Sequence, residues 1–107
     1  MRGYVDEKGS KPFATWFQAL DPSAAAKVAI ALTRMEQGNF SNAKGVGSGV
    51  HQYKIDFGPG YRIYFGRDGD RIVILRAGGT KQRQNRDIEI AQAFWADYKR
   101  RKKQETQ

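Results

Sequence analysis

The 107-residue chain contains no cysteine and a single histidine, His51. The first absence excludes disulfide staples, thiolate zinc sites and a cysteine nucleophile together. The second leaves too little imidazole to assemble a zinc site or a histidine relay. Long apolar runs are missing as well. The most hydrophobic stretch, Ala24 to Leu32, is interrupted by Lys27 and falls far short of the ~20 residues of a membrane span. The first residues hold no apolar core of the secretory type. A cytoplasmic protein without metal, cofactor or membrane partner is the expectation. Acid is in the minority: eleven Asp and Glu face nineteen Lys and Arg, a net charge of +8. That sign on so small a body favours polyanionic partners such as RNA, DNA or an acidic protein.

What is present suffices for one core. Residues 1–107 are expected to form a single domain, with 39% of residues hydrophobic and 12% aromatic. Arg2 to Lys8 reads as a short strand before the break at Gly9-Ser10-Lys11-Pro12. Phe13, Trp16, Phe17 and Leu20 then recur at the spacing of one helical stripe, with Pro12 in the first turn. Asp21-Pro22 stops that helix and starts another, Asp21 as its cap; Val28, Ala31, Leu32 and Met35 form its inner face and Gly38 its end. The result is a tight helical hairpin. Asn39 to Gly49 reads as a loop.

Alternation of period two follows. His51 to Phe57 and Tyr61 to Phe65 are expected strands joined by Gly58-Pro59-Gly60, and Asp68-Gly69 marks the turn into a third strand, Arg71 to Ala77, apolar on both faces. Three strands in series make an antiparallel meander. A polar run from Lys81 to Asn85 leads to a final amphipathic helix carrying Ile88, Ala91, Phe94, Trp95 and Tyr98, and residues 99–107 are expected to be a basic, frayed tail.

Charge is concentrated in the second half: residues 51–107 carry thirteen basic and seven acidic side chains, residues 1–50 six and four. If the three-residue turn sets Phe57 opposite Tyr61, then Asp56 faces Arg62 and Lys54 faces Tyr64. These four would share one sheet face. The helices are expected to cover the other face, so the cluster should look to solvent as a cationic patch holding a phenol, with Lys81, Arg83 and Arg86 at its rim. Ordinary solvated cross-strand pairs explain such a face equally well. The surplus of cations over Asp56 and Asp87 argues instead for an absent anion, and a nucleic-acid phosphate supplies one.

The blocks Phe57-Gly58-Pro59-Gly60-Tyr61-Arg62 and Gly78-Gly79-Thr80-Lys81, in a chain of two helices, a sheet and a last helix, resemble the RelE/ParE superfamily of toxin–antitoxin toxins, in particular the HigB-like addiction-module killer proteins. The likeness runs from Pro12 to Tyr98. It implies an α+β, RelE-like β-α-α-β-β-β-α fold with the sheet packed on the N-terminal helical hairpin and the C-terminal helix. It also implies a toxin neutralised by a cognate antitoxin, expected to be a helix-turn-helix protein. The activity implied is metal-independent, ribosome-dependent mRNA endonuclease chemistry, in which the substrate's own 2′-hydroxyl attacks the adjacent phosphate. By motif position Lys54, Arg62, Lys81 and Arg83 match the family's catalytic basic residues. Tyr64, Arg86 and His51 are the expected substrate-binding residues. The tyrosine that RelE carries after its last basic segment has no counterpart between Asn85 and Glu89, which leaves the proton donor to Tyr64 or His51. Two other functions are open: a ParE-like poison of DNA gyrase, and a basic domain that only binds an acidic protein.

Overall fold

In the computed structural model, which describes residues 1–105, two helices form as the capping chemistry dictates. Helix α1, Pro12–Gln18, starts on its proline, and α2, Pro22–Glu36, starts where the Asp21 carboxylate accepts the Ala24 N–H at 2.8 Å. Gly38 leaves α2 with φ +85°, a conformation that costs a glycine little.

The sheet has five strands: β1 (Arg2–Gly3), β2 (Ala43–Gly45), β3 (His51–Ile55), β4 (Tyr61–Asp68) and β5 (Arg71–Gly78). Their order is β1-β5-β4-β3-β2, with β1 parallel to β5 and every other pair antiparallel. The architecture is therefore α+β with a mixed sheet, and the expected three-stranded antiparallel meander is its centre. The expected strand Arg2–Lys8 is cut to two residues because the Asp6 carboxylate accepts the N–H groups of Lys8 and Ser10 and bends the chain. The expected loop Asn39–Gly49 donates strand β2 to the edge, because β3 would otherwise present unpaired backbone groups there.

Each face of the sheet has its own core. On one, Tyr53, Ile55, Ile63, Phe65, Ile72 and Ile74 pack with Val28, Ala31 and Met35 of α2 and the aromatic stripe of α1. On the other, Val50, Tyr64, Val73 and Leu75 pack under helix α3, Gln84–Glu105, through Ala91, Trp95 and Tyr98. A face expected to be solvated is thus largely roofed by α3. Gly66 makes the close seating possible: a Cβ there would lie 2.6 Å from the Trp95 ring.

The basic run that was expected to fray continues α3 as far as Glu105, and residues 106 and 107 lie outside the described residues. Carboxylates explain the order. Arg100 pairs with Asp97 and Glu7, Arg101 with Asp97 at 2.8 Å, and Lys102 with Asp68. Among the described residues no helix is long and apolar enough to cross a membrane.

Candidate functional site

Register decides which side chains meet. Phe57 and Gly60 close a turn of their own, with the Gly60 N–H donating to the Phe57 carbonyl at 2.9 Å, so the β3–β4 ladder begins at Ile55 opposite Tyr61. The connection is five residues long rather than three. Lys54 therefore pairs with Arg62 and Gln52 with Tyr64, two residues out of register with the expected Asp56–Arg62 and Lys54–Tyr64 pairs. Parity is unchanged by a shift of two in the index sum, so Lys54, Arg62 and Tyr64 do share the α3-side face. Asp56 leaves the sheet altogether.

The two cations at the open end of this face are poorly neutralised. Lys54 has one carboxylate near it, Asp56 at 3.6 Å, and their side chains are 54% and 88% exposed, so the pair is a weak, solvent-screened one. Arg62 makes no hydrogen bond or ion pair among the described residues, and its Nε is buried without a partner. Opposite-sheet neighbours stand about 5 Å apart at Cβ, so ammonium and guanidinium can address one anion together. An arginine fork suits a phosphate's non-bridging oxygens and a lysine acts as a point charge.

Tyr64 is a correction. Expected as an exposed phenol, it is 0% exposed beneath α3, and its hydroxyl is a second buried polar atom without a partner. Burial raises its pKa to about 12; the Asp87 charge adds to the rise, while Arg62 and Arg76 oppose it. His51 is a second correction. It lies on the opposite face, stacked on Phe65 at 5.4 Å among the side chains that face α1 and α2, since odd-numbered positions of β3 point that way. Lys81 and Arg83 occupy a 3-10 turn, Lys81–Arg83, directly after β5, and Arg86 lies in the first turn of α3; all three are exposed. Their side chains have no hydrogen bond or ion pair among the described residues.

Sequence reading missed the polar layer beneath. Arg76, opposite Tyr64 on β5, donates from Nε to Asp87 Oδ1 at 2.9 Å; its side chain is 26% exposed and that of Asp87 5%. Gly78, opposite Arg62, leaves the space in which this carboxylate rests, since a Cβ at Gly78 would come within 2.3 Å of Asp87 Oδ2. Buried Gln52 accepts from Gln84 Nε2 at 2.8 Å and ties the start of α3 to β3. The signals available in the sequence were an arginine directly after the apolar run Ile72-Val73-Ile74-Leu75, within the same strand, and the glycine pair that follows.

A cavity of about 740 Å³ lies elsewhere, between β1, the β4–β5 turn and the far end of α3. Part of its charge is already matched: Asp68 accepts from Tyr98 at 2.7 Å and pairs with Lys102, and Arg101 pairs with Asp97. At the other end of the sheet, Lys54 has only its screened contact with Asp56, and Arg62 has no ion pair among the described residues.

No family model matches the chain, and no solved structure matches it. A Haemophilus influenzae protein described as uncharacterized is 36% identical over 88 residues, which cover 81% of this chain and 89% of that one.

Proposed function

This chain belongs to one family with the Haemophilus protein, and we propose that it is the toxin of a toxin–antitoxin module, an mRNA endoribonuclease acting on the ribosome. The order β1-α1-α2-β2-β3-β4-β5-α3 supports a RelE-like reading of the fold, with β2 as an added edge strand.

One observation carries the proposal: Lys54 and Arg62 are direct partners on an open sheet surface, and Arg62 has no anion among the described residues. In cleavage by 2′-hydroxyl attack the nucleophile belongs to the RNA. The protein's tasks are then to align the 2′-oxygen with the phosphorus, to spread the charge of the phosphorane, and to move two protons. The Arg62 guanidinium meets the non-bridging oxygens, where charge accumulates. The Lys54 ammonium beside it adds charge support and gives a proton to the 5′-oxygen as its bond to phosphorus breaks, while the proton of the attacking 2′-hydroxyl passes to solvent water. Tyr64 takes no part in proton delivery, because its hydroxyl is sealed from the surface. Lys81, Arg83 and Arg86 hold the flanking strand electrostatically. The partner that neutralises this surface is an antitoxin presenting carboxylates to it.

The test is induced expression in a bacterial host of the wild type, Arg62→Gln and Lys54→Gln, with folding checked by circular dichroism and mRNA breaks mapped by primer extension. Growth arrest and mRNA cleavage are expected for the wild type and loss of both for each variant. Arrest with intact mRNA and accumulated cleaved supercoiled DNA would transfer the protein to the gyrase poisons. No arrest at all would leave a binding domain.

A further inference from the structure

We propose that Arg76 is a second phosphate-binding side chain of this site, taking the phosphate next to the one at Arg62; the inference rests on the RNA-cleaving reading above.

Backbone alternation alone would turn Arg76 away from the site. Val73 and Leu75 face α3, so Arg76 would fall on the side of α1 and α2 in a regular strand. A bulge intervenes: Tyr64 pairs with Arg76 but Phe65 pairs with Ile74, leaving Leu75 without a partner of its own on β4. Leu75 and Arg76 consequently both reach the α3 side, Leu75 into the apolar cluster and Arg76 to Asp87. Bulges of this kind re-aim single side chains beside functional sites.

Three further features fit a binding role better than a purely structural one. The bond from Nε to Asp87 uses one edge of the guanidinium, and no other hydrogen bond or ion pair engages Arg76 among the described residues, so its terminal nitrogens remain available. Its side chain keeps 26% exposure while its carboxylate partner is almost wholly covered, an asymmetry that presents the cation and hides the anion. Arg76 is also the diagonal neighbour of Arg62, since Arg62 pairs with Gly78 and Tyr64 with Arg76. Diagonal positions lie about 7–8 Å apart, a separation that two successive phosphates of an extended strand can bridge. The ligand class is therefore a single-stranded polynucleotide contacted at two adjoining phosphates.

The experiment measures affinity of the full chain for a short, fluorescently labelled 2′-O-methyl RNA, which cannot undergo 2′-hydroxyl attack, across a range of salt. Arg76→Gln alone strands the buried Asp87, so the principal variant is Arg76→Gln with Asp87→Asn, which keeps the net charge and replaces the ion pair by two amides able to bond each other. Loss of one direct phosphate contact should lower affinity by about tenfold at low salt and the slope of log K against log salt by about one, with the melting curve still cooperative. Arg62→Gln provides the reference slope change. If Arg62→Gln lowers the slope and the double variant does not, Arg76 is structural and the inference falls while the RNA reading stands. If the wild type does not bind the RNA, both fall.

Discussion

Replacing Gly66 by alanine tests the seating of α3 on the sheet. A Cβ at that position would meet Cδ2, Cε3 and Cζ3 of Trp95 at 2.6, 2.6 and 2.7 Å. Carbon atoms rest at about 3.5–4.0 Å, so the indole must retreat by roughly 1 Å. It has little room to do so: Trp95 is stacked on Tyr98 at 5.2 Å with the rings 8° from parallel, and Tyr98 is in turn bonded to Asp68. The strain therefore passes into the helix. Overpacking of this kind costs about 1–3 kcal/mol. At roughly 4–8 °C per kcal/mol for a domain near this size, the melting temperature should drop by roughly 5–20 °C. Gly45→Ala is the control, since nothing lies within 4 Å of a Cβ there and its φ is ordinary; it should stay within about 0.5 kcal/mol of the wild type. The clashing atoms belong to the six-membered ring of the indole, so Trp95→Phe should relieve them, and the double variant should be less destabilised than the two single changes added together. Thermal and urea melts followed by near-ultraviolet circular dichroism read the four variants beside the wild type. A Gly66→Ala protein as stable as the control would refute the close packing of α3 on β4, and with it the burial of Tyr64.

Asp21→Ala removes the cap of α2 and should cost about 1 kcal/mol in urea unfolding, while Asp21→Asn should retain most of the stability. Tyr64→Phe deletes a buried hydroxyl without a partner and should leave the protein as stable or more stable by about 1 kcal/mol; a clear loss would reveal an acceptor bound there. Acid should loosen the far end of α3. Asp68, which accepts from Lys102 and then Tyr98, and Asp97, which accepts from Tyr4, both have carboxyl pKa values held below the ordinary range. A depressed folded-state pKa contributes stability that is present above the unfolded value of about 3.9 and is lost as pH falls below it. Asp97→Asn should flatten that acid limb, and a limb unchanged in this variant would count against the linkage. At the alkaline end, burial followed by the Asp97 hydrogen bond raises Tyr4 to about 12, so its contribution should fade as pH climbs above about 10.

The parts of the fold legible in the sequence were those set by local chemistry. Asp21-Pro22 specifies a cap and a first turn whatever surrounds it, and the apolar stripes of α1 and α2 bury because their spacing matches the helical period. The central strands followed from alternation for the same reason. Long-range closure was not legible. Nothing local indicates that Ala43–Gly45 will pair with β3, or that Arg2–Gly3 will lie parallel to β5, because both pairings depend on where distant strands end. Lys99 to Lys103 read as a solvated tail because its carboxylate partners, Asp68, Asp97 and Glu7, are spread over the chain.

At the candidate site the division is sharper, because one assumption about periodicity controls what can be seen. A strict period of two correctly put Lys54, Arg62 and Tyr64 on one face, and the same rule applied to His51 would have sent it to the other side. It also hides Arg76. Only an interruption of the period brings that guanidinium across, and a β-bulge leaves no mark in the sequence beyond a charged residue placed where alternation demands an apolar one. The roofing of Tyr64 has a similar origin. Gly66 and Gly78 look like breaks in otherwise strong strands, yet each is the cavity that receives a side chain of α3, the indole of Trp95 in one case and the carboxylate of Asp87 in the other. Two glycines on one face, a helical turn or more apart along the partner helix, thus encode the line along which α3 lies. That line ends at Gly78, the β5 partner of Arg62, so Arg62 is half-buried at the start of the helix while Lys54, one strand further out, is exposed.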